Sequence, residues 1–111
     1  MSGNINLIKS FLNYCSDKGK VINQNIANIN TENYQRRDIY FGSYLEDQLN
    51  SMNKNTASNS SLEESFVVED KGVTIEEEMA EMAKNTINFK FAAKRASGYY
   101  KNLQNVIKSG G

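Results

Sequence analysis

TIEEEMAEMAKNTINFKFAAKRASGYYKNLQNVIKSGG, residues 74–111, is the stretch that decides the architecture. Through it Ile75, Met79, Met82, Thr86, Phe89, Ala93, Ala96, Tyr100, Leu103 and Ile107 step by four and three without a break. Only a helix brings residues at that spacing onto one face. Thr74 with Glu77 three residues on is a capping-box pattern, in which each side chain can satisfy the other's orphan backbone N–H. Glu76, Glu77 and Glu78 favour the positive start of a helix, and Gly110-Gly111 after Lys108 supply a stop. The expectation is a single C-terminal helix over 74–111.

A matching stripe lies at the other end of the chain. Ile5, Ile8, Leu12, Cys15, Gly19, Ile22, Ile26 and Ile29 also alternate steps of three and four, which predicts an N-terminal helix over 1–30. Gly19 is its weak point, because glycine inside a helix costs about 1 kcal/mol relative to alanine. Either the helix bends or breaks near Ser16-Asp17-Lys18-Gly19, or another backbone approaches closely there. A heptad seam needs a partner, since each fully buried Leu, Ile, Phe or Met contributes roughly 1.5–3 kcal/mol. The two ends could partner each other, neighbouring subunits, or both. The fold class expected is all-α, with long terminal helices packing as a coiled-coil-like pair.

The middle, residues 31–73, reads as polar and mostly irregular. Asn50 to Ser61 is a low-complexity run without periodicity, expected to be a mobile loop. Asp38-Ile39-Tyr40-Phe41 and Phe66-Val67-Val68 read as short strands able to pair, the second followed by a turn at Glu69-Asp70-Lys71-Gly72.

Composition narrows the functions open to such a chain. Its 111 residues suit one small unit, and 13 basic against 13 acidic residues leave no global field to attract nucleic acid or anionic lipid. Lys90, Lys94, Arg95 and Lys101 spread around their helix instead of forming a patch, so they read as a solvated face. Acidic residues dominate from Glu63 to Glu81, and every charged residue from Lys84 to Lys108 is basic, an order that follows the helix macrodipole. Histidine is absent and Cys15 is the lone cysteine, so the commonest general base and a thiolate metal site are both missing. No glycine-rich phosphate loop occurs, and the carboxylate clusters Glu63-Glu64, Glu69-Asp70 and Glu76-Glu77-Glu78 lie in a polar loop or at a helix start. The reading is therefore a non-enzyme without cofactor, metal or small-molecule substrate, and Cys15 is a small core residue on the apolar stripe. No apolar run is long enough for membrane insertion, and Met1-Ser2-Gly3-Asn4 lacks the flank and apolar block of a cleavable signal.

The linear motifs add a resemblance. Asn25-Ile26-Ala27-Asn28-Ile29-Asn30-Thr31, followed by Tyr34 and Gln35-Arg36-Arg37, resembles the N-terminal signature of the flagellar basal-body rod and hook family. Where that family usually has Pro-Gly between the Thr and the Tyr, this chain has Glu32-Asn33, and Asn33 tolerates the left-handed backbone that such a turn uses. Val73 to Asn85 resembles the family's C-terminal helix signature, and the two signatures together cover roughly two-thirds of the chain. The short middle resembles the smallest, proximal-rod class. The resemblance implies a structural subunit of the rod in the bacterial flagellum basal body, polymerising through its terminal helices into the drive shaft between motor and hook. It further implies contacts with itself, with other rod subunits, with the motor base (the MS ring and its adaptor protein) and with the flagellar type III export gate, through which it leaves without a cleaved signal. Phe41-Gly42-Ser43-Tyr44-Leu45 resembles a short export-gate motif, with Phe41 and Leu45 as its marks, although both could simply pack on the helices. The competing reading is a cytoplasmic helical-hairpin adaptor or regulator acting through its coiled-coil face.

Overall fold

The N-terminal stripe forms α1, Ser2–Ala27, which runs through Gly19 without interruption. The computed structural model describes residues 2–53 and 66–110. What approaches Gly19 is a side chain and not a backbone: a Cβ there would lie 3.6 Å from the Asn85 amide nitrogen. That nitrogen donates to the Cys15 carbonyl at 2.8 Å, the carbonyl that also receives the Gly19 N–H in a regular helix. The bare turn at Gly19 lets a residue of the opposing helix hydrogen-bond directly to the backbone of α1.

Past Ala27 the chain turns twice. The Thr31 N–H donates to the Asn28 carbonyl at 2.9 Å and the Tyr34 N–H to the Thr31 carbonyl at 3.2 Å. Asn33 takes φ 64°, the left-handed residue that the third position of a type II turn requires. The turn expected at Glu32-Asn33 is thus made by asparagine.

β1, Arg37–Ile39, follows and pairs antiparallel with β2, Phe66–Val68, in the register Arg37↔Val68, Asp38↔Val67 and Ile39↔Phe66. The two short strands pair as read, but the first ends earlier than Phe41. Phe41 instead opens α2, Phe41–Asn53, an element absent from the expected irregular middle. Its polar sequence resembles a loop, yet Phe41, Tyr44 and Leu45 fall on one helical face, and Tyr44 is buried. Of the Asn50–Ser61 run, the first four residues belong to α2, and 54–61 lie outside the described residues.

The C-terminal stripe forms α3, Ile75–Gly110. Half of its capping box is made: the Glu77 N–H donates to Thr74 Oγ1 at 3.3 Å. The Glu77 carboxylate turns instead to Lys71 Nζ at 2.7 Å. α1 and α3 pack antiparallel along their length, with Asn25 against Glu78 at one end and Leu7 and Ile8 near Phe91 and Arg95 toward the other. The core beside them gathers Tyr14, Cys15, Val21, Ile39 and Tyr44, with Phe11, Phe41 and Phe66 packed against it.

Candidate assembly surface

At the end where α1 stops and α3 starts, the helices are joined by a buried polar clasp. Asn25, fully buried, donates to the Arg37 carbonyl at 2.7 Å and to Glu78 Oε1 at 2.8 Å. Its oxygen accepts from the Arg37 N–H at 3.0 Å and from the Tyr34 hydroxyl at 3.1 Å. One side chain therefore ties α1 to the turn, to β1 and to α3. Beside it Arg36, equally buried, donates to Glu78 Oε2 at 3.0 Å and to Asp38 Oδ2 at 2.9 Å, and pairs with Glu69. Lys18 reaches from α1 to Asp38 and to Glu81, each at 3.4 Å.

Burial by itself would raise the Asp38 carboxyl, but hydrogen bonds from Arg36 and the Ile39 N–H, with the charges of Lys18 and Arg36, hold it below the usual carboxylate range. Burial likewise works against the Arg36 charge, and the bonds to Asp38 and Glu78 more than offset it, so the guanidinium stays charged. Every buried polar side-chain atom among the described residues has a hydrogen-bond partner. A satisfied network of this kind specifies one arrangement of the elements it joins.

Of the motif residues in 25–34, Asn25 and Tyr34 belong to the clasp and the others shape the turn. Thr31 Oγ1 donates to Asn28 Oδ1 at 3.0 Å, the Asn28 amide caps the Gln24 carbonyl at 2.8 Å, and Asn30 is exposed. Phe41 sits in an aromatic group, 5.1 Å from the Phe11 ring and 5.3 Å from the Tyr14 ring between centroids, and Leu45 is half-buried one turn on. Tyr14 donates to the Ile39 carbonyl and Tyr44 to Asp17, each at 2.9 Å. Burial, then the neighbouring Asp17, pushes the Tyr44 hydroxyl well up, and burial raises the Cys15 thiol.

The two seams have different fates. On α1, Ile5, Cys15 and Ile22 are buried and Ile8, Leu12 and Ile26 are half-buried, as is Ile29 in the turn past the helix end, so the N-terminal seam is largely covered inside the chain. On α3 the inward face runs through Glu78, Met82, Asn85, Ala92, Ala96 and Tyr99. It shares Met82 and Ala96 with the heptad stripe, and at the other positions it lies one residue earlier. The stripe is turned outward in consequence: Ile75, Met79, Phe89, Tyr100, Leu103 and Ile107 are all exposed, Met79 at 60% and Ile107 at 66%, and Ala93 is half-buried. α3 has 36 residues against 26 in α1, and every residue from Tyr100 to Lys108 is exposed. Its last turns extend beyond its mate.

Sequence reasoning named Arg36 within the Gln35-Arg36-Arg37 part of the signature and Glu78 as a charge at the helix start. It missed that both are buried and carry the clasp, because a polar residue buried by its hydrogen bonds leaves no mark in an apolar pattern. Among the described residues no His, Cys, Asp and Glu group is arranged to hold a metal, and no helix is long and apolar enough to cross a membrane.

A helical hairpin pinned at one end, with one seam covered and the other presented outward on an overhanging helix, is the form of a structural subunit completed by its neighbours. No family model matches the chain. It is 34% identical over 116 aligned residues to the flagellar basal body rod protein FlgB of Aquifex aeolicus (strain VF5), covering 94% of this chain and 92% of that protein. It is 29% identical over 124 aligned residues to the protein of the same name from Bacillus subtilis (strain 168), covering 98% and 96%. The chain belongs to the FlgB family of flagellar basal body rod proteins, and is a structural protein of the basal-body rod. That membership disfavours the cytoplasmic adaptor.

Proposed function

We propose that the chain builds the proximal rod by polymerising through the outward face of α3, with the α1 seam serving mainly to hold the hairpin together. The observation that supports this most is the overhang of α3, whose exposed Tyr100, Leu103 and Ile107 continue the heptad stripe past the end of α1. Burying such side chains against neighbours contributes roughly 1.5–3 kcal/mol each. The partners are further copies, the sibling rod subunits, and the motor base of MS ring and adaptor protein. Delivery runs through the flagellar export gate, with Phe41 and Leu45 read by it while the chain is unfolded, since Phe41 packs among aromatic rings once folded. The role is that of a building block with no reaction of its own.

The test is complementation of a deletion strain with the variant Leu103→Asp/Ile107→Asp. Both residues lie outside the hairpin core, so the protein should be made and exported at the normal level while the yield of hook-basal bodies collapses. Intact basal bodies at normal yield would remove the α3 face from the assembly. For delivery, Leu45→Ala should lower the amount of protein in the culture medium relative to the cell, and an unchanged ratio would exclude Leu45 from the export step.

A further inference from the structure

The charges of this neutral chain are sorted by position. All 13 acidic residues lie between Asp17 and Glu81, with six of the basic ones, and the other seven basic residues are Lys9 and six on α3 from Lys84 onward. Because α1 and α3 run antiparallel, Lys9 lies at the same end as the second half of α3. There Lys90, Lys94, Arg95, Lys101 and Lys108 are all exposed. At the opposite end, over 28–40 and 66–81, eight acidic residues outnumber Arg36, Arg37 and Lys71, and Glu32, Asp70 and Glu76 are exposed alongside Arg37 and Lys71. The chain extends 63 Å along its longest axis, several screening lengths at physiological salt, where that length is about 8 Å. Its two ends therefore act as separate surfaces of opposite sign.

Each end also carries apolar side chains in the open. At the acidic end Val68, Ile75 and Met79 are exposed, with Ile75 and Met79 one helical turn apart and Glu76 beside them. At the basic end Leu103 and Ile107 are exposed one turn apart, with Lys108 beside them. The two surfaces match in kind and oppose in charge, which is the arrangement that fixes partner and register at an interface.

We propose that the basic tip of α3 of one copy docks on the acidic end of the next, around Asp70, Ile75, Glu76 and Met79, so that copies join head to tail. This joint rests on the rod-subunit reading and names the surfaces it uses. Joined head to tail through opposite ends, the contact is heterologous and extends into an open series. An antiparallel side-by-side pair would instead satisfy both surfaces at once, so association that stops at a dimer overturns the proposal. The same pairing discriminates against tip-to-tip encounters, where like charges face each other. It orders an assembly that seams of generic apolar residues would leave ambiguous.

Sedimentation velocity on the purified full chain, over a rising concentration series, tests the joint with two charge-reversed variants, Lys101→Glu/Lys108→Glu and Asp70→Lys/Glu76→Lys. The wild-type chain should self-associate, and its association should weaken about tenfold or more between about 0.1 M and about 1 M salt, as the screening length drops from about 10 Å to about 3 Å. Each variant alone should stay monomeric. An equimolar mixture of the two should associate again, because each then supplies the sign the other lacks at both ends. The proposal is overturned if the wild-type chain stays monomeric throughout, if either variant associates like the wild type, or if two variants with wild-type circular dichroism fail to associate when mixed. Binding of the basic tip to anionic vesicles or to DNA without self-association overturns it too. In the deletion strain, normal basal bodies from both charge variants sink the joint alone, whereas normal basal bodies from Leu103→Asp/Ile107→Asp sink the rod-packing reading beneath it.

Discussion

Asn25 uses both its N–H donors and accepts twice on its oxygen, and the Arg36 guanidinium beside it faces Asp38, Glu69 and Glu78 in a setting almost closed to water. Removing one member of such a network leaves the others buried and uncompensated, which typically costs about 3–5 kcal/mol for an ion pair. Arg36→Leu should therefore lower the free energy of unfolding by that order, read as a shift of the urea midpoint at unchanged slope. A midpoint within error of wild type would show the clasp to be energetically idle. The acid limb follows from Asp38. Its folded carboxyl titrates below its unfolded value, so the stability it lends is present above the unfolded value and is lost as pH falls through the folded one. Lys18→Met leaves Arg36 in place but removes one of the cations facing Asp38, and the acid unfolding midpoint followed by circular dichroism should move to higher pH. A midpoint that stays put or moves lower contradicts this assignment.

Among the elements, α1 and α3 were legible because helical periodicity persists over many turns in each. The β1–β2 pair was legible because Ile39-Tyr40-Phe41 and Phe66-Val67-Val68 are short β-branched or aromatic runs, although the first strand is Arg37–Ile39 and shares only Ile39 with its run. α2 was not legible, since its few apolar residues sit in a short, mostly polar stretch and its burial depends on Tyr14 and Phe11 arriving from α1. Gly19 reverses the expected weakness. The helix is continuous there and an added Cβ meets nothing closer than an ordinary contact, so Gly19→Ala should raise stability by up to about 1 kcal/mol, visible as a higher melting temperature. A lower one would mean that the contact with Asn85 tolerates no added atom. The rotation of α3 gives a paired test. Ala92 is buried against α1 whereas Ala93, on the heptad stripe, is half-buried. Ala92→Leu should destabilise the isolated chain by about 1–3 kcal/mol through overpacking, and Ala93→Leu by clearly less. Equal losses in chemical denaturation would put the inward face elsewhere.

For the whole molecule, the clasp closes one end of the hairpin and the overhang leaves the other end open. The two ends should separate experimentally. Removal of residues 101–111 takes away exposed surface beyond the α1 contact, so the remaining chain should keep its circular dichroism per residue and its clasp-dependent stability. The same truncation should abolish incorporation into basal bodies. A truncated chain that unfolds would assign the overhang to the fold and not to the assembly.

The sequence by itself determined the two terminal helices, the apolar stripe along each, the small middle and, through the Asn25–Tyr34 and Val73–Asn85 motifs, the family, and it left the turn at Asn33 open. These rest on local periodicity, backbone preference and linear motifs, all of which are written along the chain. Tertiary structure alone decided which way α3 faces. Glu78 and Asn85 lie on its inward side because Arg36, Asn25 and the Cys15 carbonyl, distant in sequence, satisfy them there. Hydropathy assigns such residues to solvent, since a polar group belongs inside only when its partners are already in place. Their burial turned the apolar stripe of α3 outward, so the surface offered for assembly follows from hydrogen bonds that no reading of periodicity contains.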